Sequence, residues 1–353
     1  MQAEAGGELT AGMIPSPELN ATGVGALPHR DPEEACRAVL AVFPRIPHVP
    51  TLPNRGLLEG IVFADSEHLP GGVIRDGRLV LDRSIDPSEA MERILLDYIE
   101  RNAEPYAVGR DYGSGFHAMM AHDLSDALMV KCQVTGPVTF GMQVVDEARR
   151  PILYDPEYAD LLGKLLGLRA RWCEIAMRER MMARETLVVL NEPYLASLGS
   201  AVVPVDAEVA ASAFQDIAAL LDGGLGIHCC ANTDWSFVLG LRPALISIDA
   251  WTYAREFLLY LDEIAAYMED GGVVAWGIVP ADYTVFAAEG QDSFFSRFQA
   301  IRARATGIID PDLFDRQSMI TPTCGIRTAG EREAVAIMEA AASLSRRLRG
   351  EEA

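Results

Sequence analysis

The sequence predicts an α/β protein built as a single (β/α)8 TIM barrel. Three observations predict it. Along 353 residues, eight short apolar runs ending in polar or Gly/Pro clusters alternate with longer amphipathic segments, the pattern of buried parallel strands followed by covering helices. Half of the residues are hydrophobic and 23% are charged, enough for one large core. No linker-like stretch divides the chain, and barrels of this class run past roughly 200 residues as one unit.

The elements follow in order. Residues 1–20 lack a hydrophobic period and contain Gly, Pro and Glu; they read as a flexible leader, with the barrel domain spanning 21–353. The strand candidates are 21–27, 48–52, 130–135, 186–191, 225–230, 244–249, 273–279 and 318–324. The extra length falls between the second and third strands, where 61–83 reads as a hairpin with an Asp-Gly turn and 86–101 as a helix. Asp155-Pro156-Glu157 opens a long helix with an N-cap and a proline in the first turn. The last helix, 329–349, is expected to start with a capping box between Thr328 and Glu331.

Composition excludes several function classes. The formal charge of -21 repels phosphate backbones, which argues against nucleic acid. No apolar run approaches the roughly 20 residues of a membrane span, and the first residues lack a secretory pattern. A cytoplasmic location is expected. The six cysteines, at 36, 132, 173, 229, 230 and 324, are too scattered for a small disulfide scaffold.

Barrel chemistry sits at the C-terminal ends of strands. The fifth strand ends in His228-Cys229-Cys230, the sixth in Asp249, the eighth in Cys324-Gly325 and the fourth in Asn191-Glu192-Pro193. Side chains alternate along a strand, so His228 and Cys230 share one face and Cys229 takes the other. An imidazole and a thiolate on one face form two ligands for a borderline-soft ion such as Zn²⁺. Cys324 is the candidate third ligand from across the mouth, which leaves a fourth position open as in catalytic zinc sites. Cysteine is by default a small buried hydrophobe, and Cys36, Cys132, Cys173 and Cys229 are read that way. Asp249 is either a fourth ligand, an acceptor orienting His228, or a polar residue ending a strand. Glu192 either binds a substrate amine or forms an ion pair in the barrel mouth.

Seven segments, in the same order, resemble the cobalamin-independent methionine synthase family: 23–35 (GVGALPHRDPEEA), 133–139 (QVTGPVT), 191–193 (NEP), 228–235 (HCCANTDW), 247–250 (SIDA), 275–280 (AWGIVP) and 321–328 (TPTCGIRT). The chain is most similar to short, catalytic-domain-only relatives within the uroporphyrinogen-decarboxylase and methionine-synthase-like superfamily. The resemblance implies a zinc-dependent S-methyltransferase on a (β/α)8 barrel, with methyltetrahydrofolate or a methylcobamide as donor. The acceptor it implies is a zinc-bound small thiol, homocysteine giving methionine.

Carried over residue by residue, the resemblance places the zinc ligands on His228, Cys230 and Cys324. The family's glutamate ligand is matched by the shorter Asp249. Its Asp-Glu-Pro appears as Asn191-Glu192-Pro193, and its Gly-Ser turn as Gly25-Ala26. Gly25, Asn191 and Glu192 are therefore the substrate-binding candidates. Methyltetrahydrofolate needs an acid to activate its amine nitrogen, for which His29 and Asp234 are candidates beside Glu192. No Asp-x-His-x-x-Gly segment of the corrinoid-binding type occurs, so a corrinoid donor would arrive free or on a partner protein.

Two rival readings are a uroporphyrinogen-decarboxylase-like enzyme and a non-catalytic zinc- or corrinoid-docking protein. The first needs an Arg-rich segment near the N-terminus, absent between Ala21 and Leu40. The second predicts a metal closed off by four protein ligands and indifferent to thiols.

Overall fold

The structure is a computed structural model that describes residues 9, 12–198 and 205–351. Its centre is a parallel sheet in the order β3 (Val130–Thr135), β5 (Thr186–Asn191), β6 (Gly224–Cys229), β7 (Leu245–Ile248), β8 (Val273–Val279) and β9 (Ser318–Pro322). Three isolated parallel bridges complete the circuit. Ala21 pairs with Ile320, Ala26 with Thr51, and His48 with Lys131. Backbone bonds reinforce each join: Thr22 N donates to Ile320 O, Leu27 N to Thr51 O, and Val49 N to Lys131 O. The predicted eight-membered barrel is thus present, with its first two members held by bridges rather than by regular ladders. Gly23 and Gly25 interrupt the first segment and Pro50 the second, which shortens their regular pairing.

Alternation along the strands sorts the core into two apolar clusters. Outward-facing residues, among them Val134, Leu190, Ile227, Cys229, Ile248 and Trp276, pack under the helices. Inward-facing residues at the lower end, among them Leu187, Val189, Leu245, Val273 and Met319, fill the barrel interior together with Ile14. That last member corrects the expected loose leader. Gly12 N donates to Gly223 O, Leu19 N donates to Ser318 O, and Ile14 is buried. Residues 12–20 cross the N-terminal end of the barrel and plug it; residues 1–8, 10 and 11 of the leader lie outside the described residues. Gly224 makes this fit, since a Cβ there would stand 2.3 Å from Ile14 Cγ2.

The insertion contains β1 (Gly72–Arg75) and β2 (Arg78–Leu81), paired antiparallel around Asp76-Gly77. Both turn residues have positive φ, 50° and 72°, as a tight hairpin of the primed kind requires. The hairpin is shorter than the 61–83 expected, because residues 57–65 form short 3-10 turns instead. It also gains a third strand, β4 (Val145–Asp146), parallel to β2. The helix Ser88–Glu100 follows the hairpin.

Asp155 caps the helix Pro156–Glu179 as expected, accepting from Glu157 N at 3.1 Å. The final helix, Glu331–Leu348, begins two residues later than expected. Its Glu333 reaches back to Gly330 N at 2.6 Å, while Glu331 accepts from Arg30 N at 3.1 Å. Glu331 is thus spent on joining the last helix to the loop after the first barrel segment. No described helix is long and apolar enough to cross a membrane.

Candidate metal centre

Strand β6 carries His228 inward, and the chain leaves the strand at Cys230, while Cys229 faces the outer core. Cys324 lies in the turn just beyond β9. The ligand atoms of His228, Cys230 and Cys324 all lie within 4.8 Å of one another. In a tetrahedral zinc site with Zn–S near 2.3 Å and Zn–N near 2.0 Å, such atoms stand roughly 3.5–3.8 Å apart. Only a small closure separates the two geometries.

The protonation chemistry of the three fits a cation. His228 is 3% exposed; its Nδ1 lies 2.8 Å from Ser247 Oγ, and its buried Nε2 has no hydrogen-bond partner. With the proton on Nδ1, donated to Ser247, the Nε2 lone pair is left for a metal. Hydrogen bonding couples the two thiols. Hydrogen bonding to Cys324 and burial push Cys230 upward, whereas the same bond from Cys230 draws Cys324 below the ordinary thiol range. Deprotonation is thus easier at Cys324 than at Cys230, and the thiolate is the form that binds metal.

Asp249 does not join the group. It caps the helix Ala250–Phe257, accepting from Thr252 N at 2.9 Å. Burial raises its pKa, and His228 is among the charges acting on it, so it stands near the imidazole while its oxygen is committed to a helix start. The close group of His228, Cys230 and Cys324 does not include it.

Glu192 is also committed elsewhere. It is fully buried, with Oε1 accepting from Val138 N at 2.9 Å and Oε2 accepting from Thr139 N at 2.8 Å and Thr139 Oγ1 at 2.6 Å. These donors form the start of the helix Pro137–Gln143. A Cβ at Gly136 would lie 2.2 Å from Glu192 Oε1, which is why glycine precedes that helix. Burial pushes the Glu192 carboxyl up to about 7, opposed by its three hydrogen bonds. Both oxygens serve the helix, and among the described residues Glu192 forms no ion pair.

The remaining candidates separate. Asn191 Oδ1 accepts from Gln133 Nε2 at 2.7 Å, and Asn191 pairs in register with His228, which places it beside the three-residue group. Gly25 has φ 156°, and a Cβ there would sit 2.5 Å from Gln133 Cγ; it admits the Gln133 side chain that holds Asn191. Asp234 is exposed and caps the helix Trp235–Gly240 through Phe237 N at 3.3 Å. His29 is buried with Nδ1 unpartnered, and burial lowers its pKa against the pull of Glu331 and Glu34. Its loop follows Ala26, whose carbonyl accepts from Ile326 N at 2.8 Å, two residues beyond Cys324.

The sequence matches no protein-family model and no curated protein. The backbone is similar to a B12-independent methionine synthase from Shewanella sp. W3-18-1 solved in complex with selenomethionine. That match has a TM-score of 0.57 at 14% identity over 94% of this chain and 98% of the other. A putative vitamin-B12 independent methionine synthase from Listeria monocytogenes gives 0.55 at 14% identity, over 96% and 99%. The fold is that of the B12-independent methionine synthase structures. At 14% identity the likeness speaks for the fold alone, and chemistry has to be argued from the site.

Sequence reasoning missed three members of this fold's interior. Ser247, Gln133 and Lys131 all face into the barrel. Ser247 was legible in principle, since it stands two residues before Asp249 on the same face and opposite His228 in the parallel register. A lysine inside the apolar strand Val130–Thr135 was a second overlooked signal.

Proposed function

We propose that the protein is a zinc-dependent S-methyltransferase of the methionine synthase type, accepting a methyl group on a small thiol, with homocysteine as the acceptor. The observation that carries the reading is the convergence of His228, Cys230 and Cys324 at the C-terminal mouth of a barrel with this fold. His228, Cys230 and Cys324 would hold the ion. Bound there, zinc supplies the charge that deprotonates an incoming thiol near neutral pH while leaving its sulfur nucleophilic.

The protein's own residues do the rest. Ser247 would hold the imidazole through Nδ1 and leave Nε2 free for the ion. Two cysteines offset the formal charge of a divalent ion, which keeps an incoming sulfur electron-rich, whereas an all-histidine set suits water activation. Asn191, held by Gln133, presents its amide beside the site to orient the substrate. Proximity within the closed mouth then supplies much of the rate. For a folate donor, His29 and Asp234 are the acid candidates: the loop of His29 is joined to the Cys324 turn, although burial lowers its pKa and works against its carrying the proton, and Asp234 is exposed. For a methylcobamide donor, free or carried by a corrinoid protein, less acid help is needed.

The test is methyl transfer to homocysteine from methyltetrahydrofolate and from methylcobalamin, with zinc measured on the same preparation. One zinc per chain with transfer from one donor supports the reading. Full zinc retention in both Cys230→Ser and Cys324→Ser would reject it.

A further inference from the structure

Between the apolar floor of the barrel and the three-residue group lies a polar layer. Lys131, Gln133, Ser247, Thr22 and Thr321 line a cavity. Its free volume for a water centre is about 10 Å³, which is about one water in size. The walls are chemically unbalanced. Lys131, 4% exposed, donates to Val24 O at 3.1 Å and Gln133 Oε1 at 3.3 Å; an ammonium has a third hydrogen to place. Thr321 Oγ1 is buried with no partner. Ser247 Oγ, once it accepts from His228 Nδ1, has its own hydroxyl hydrogen left to donate.

One water placed in this cavity would satisfy all three. A water accepting from Lys131 Nζ and from Ser247 Oγ has two hydrogens left for Thr321 Oγ1 and Thr22 Oγ1, and buried waters characteristically make about three such bonds. Lys131 bonds the water in either protonation state: as an ammonium it has a third N–H to donate, and as the neutral amine that its burial favours it has a lone pair to accept one of the water's hydrogens. Ser247 must accept from the imidazole if Nε2 is to carry a lone pair, so its proton goes to the water.

We propose that this cavity is an ordered-water site through which Lys131, on β3, fixes the orientation of Ser247, on β7, and hence the tautomer of His228. Lys131 and Thr321 are then positioning residues that touch neither metal nor substrate. This rests on the reading of His228 as a metal ligand.

The experiment uses the full chain, Co²⁺ as a spectroscopic probe, and a high-resolution crystal structure. Lys131→Met and Thr321→Val should each weaken Co²⁺ binding by about 10-fold, the scale of other partners that orient a ligand, and should alter the cobalt absorption spectrum. Thermal melting confirms that each variant is folded, and Thr321→Val serves if Lys131→Met is not. Electron density for a water within hydrogen-bond distance of Lys131 Nζ, Ser247 Oγ and Thr321 Oγ1 supports the proposal. Its absence, or a Co²⁺ affinity and spectrum identical to wild type in the folded variants, overturns it. If wild type takes up no Co²⁺, the functional reading fails by itself, and the density still decides the water site.

Discussion

His228 Nδ1 and Ser247 Oγ lie 2.8 Å apart on directly paired residues of neighbouring parallel strands. Because both are held by a regular ladder, the imidazole's orientation is set by the most rigid part of the fold. Ser247→Ala should leave the barrel folded and weaken Zn²⁺ or Co²⁺ binding by roughly 10- to 100-fold. Competition titration with a chelating dye measures it, and an unchanged affinity would show that Ser247 does not orient the ligand.

Glu192 behaves as a structural carboxylate in this geometry. In Glu192→Gln an NH₂ must face one of the donors now bound by Oε1 and Oε2, which costs about 1–3 kcal/mol of stability. Urea unfolding should show that loss while metal affinity is preserved. Gly136→Ala should act in the same direction, because its Cβ would meet the same carboxylate. A Glu192→Gln variant that is as stable as wild type yet binds thiol poorly would return Glu192 to the substrate site.

Lys131 imposes a pH dependence on stability. Burial lowers its pKa to about 7 from the ordinary 10.5. Between these values the unfolded chain binds more protons than the folded one, so stability rises with pH, by at most about 1.4 kcal/mol per unit. Below about 7 the cost is fully present; it is relieved as the pH climbs toward about 10. Unfolding free energies of wild type minus those of Lys131→Met should therefore slope upward through this window. A flat difference would mean that the folded amine titrates normally.

The barrel plug is expected to be worth far more than a loose leader. Ile14 is 7% exposed within the lower interior cluster, so Ile14→Ala should cost about 2–5 kcal/mol. Thermal unfolding of that variant against Met13→Ala, at a position 66% exposed, isolates the effect. Equal melting temperatures would show that residues 12–20 do not contribute to the core.

Most of the barrel was legible because strand and helix periods are local. Runs 130–135, 186–191 and 273–279 match β3, β5 and β8 residue for residue, and period-two alternation alone put His228 and Cys229 on opposite faces. Carboxylates were harder to read. Asp234 and Asp249 each stand immediately before a helix, where an acidic side chain satisfies free backbone N–H groups by default. That ordinary use outcompetes chemistry unless the geometry shows an oxygen to spare. Glu192 goes further, capping a helix remote in sequence, which no local pattern reveals.

The sequence by itself determined which segments cross the barrel and that His228 and Cys230 share one face of a strand while Cys229 takes the other, since each follows from spacing along one strand. Only the tertiary structure decided that Cys324 meets them, that Ser247 supports the imidazole, and that Glu192 and Asp249 serve helix starts. Those outcomes depend on closing the sheet into a ring. Closure brings distant strand ends within a few ångströms and leaves each buried polar atom to bond with whatever then faces it.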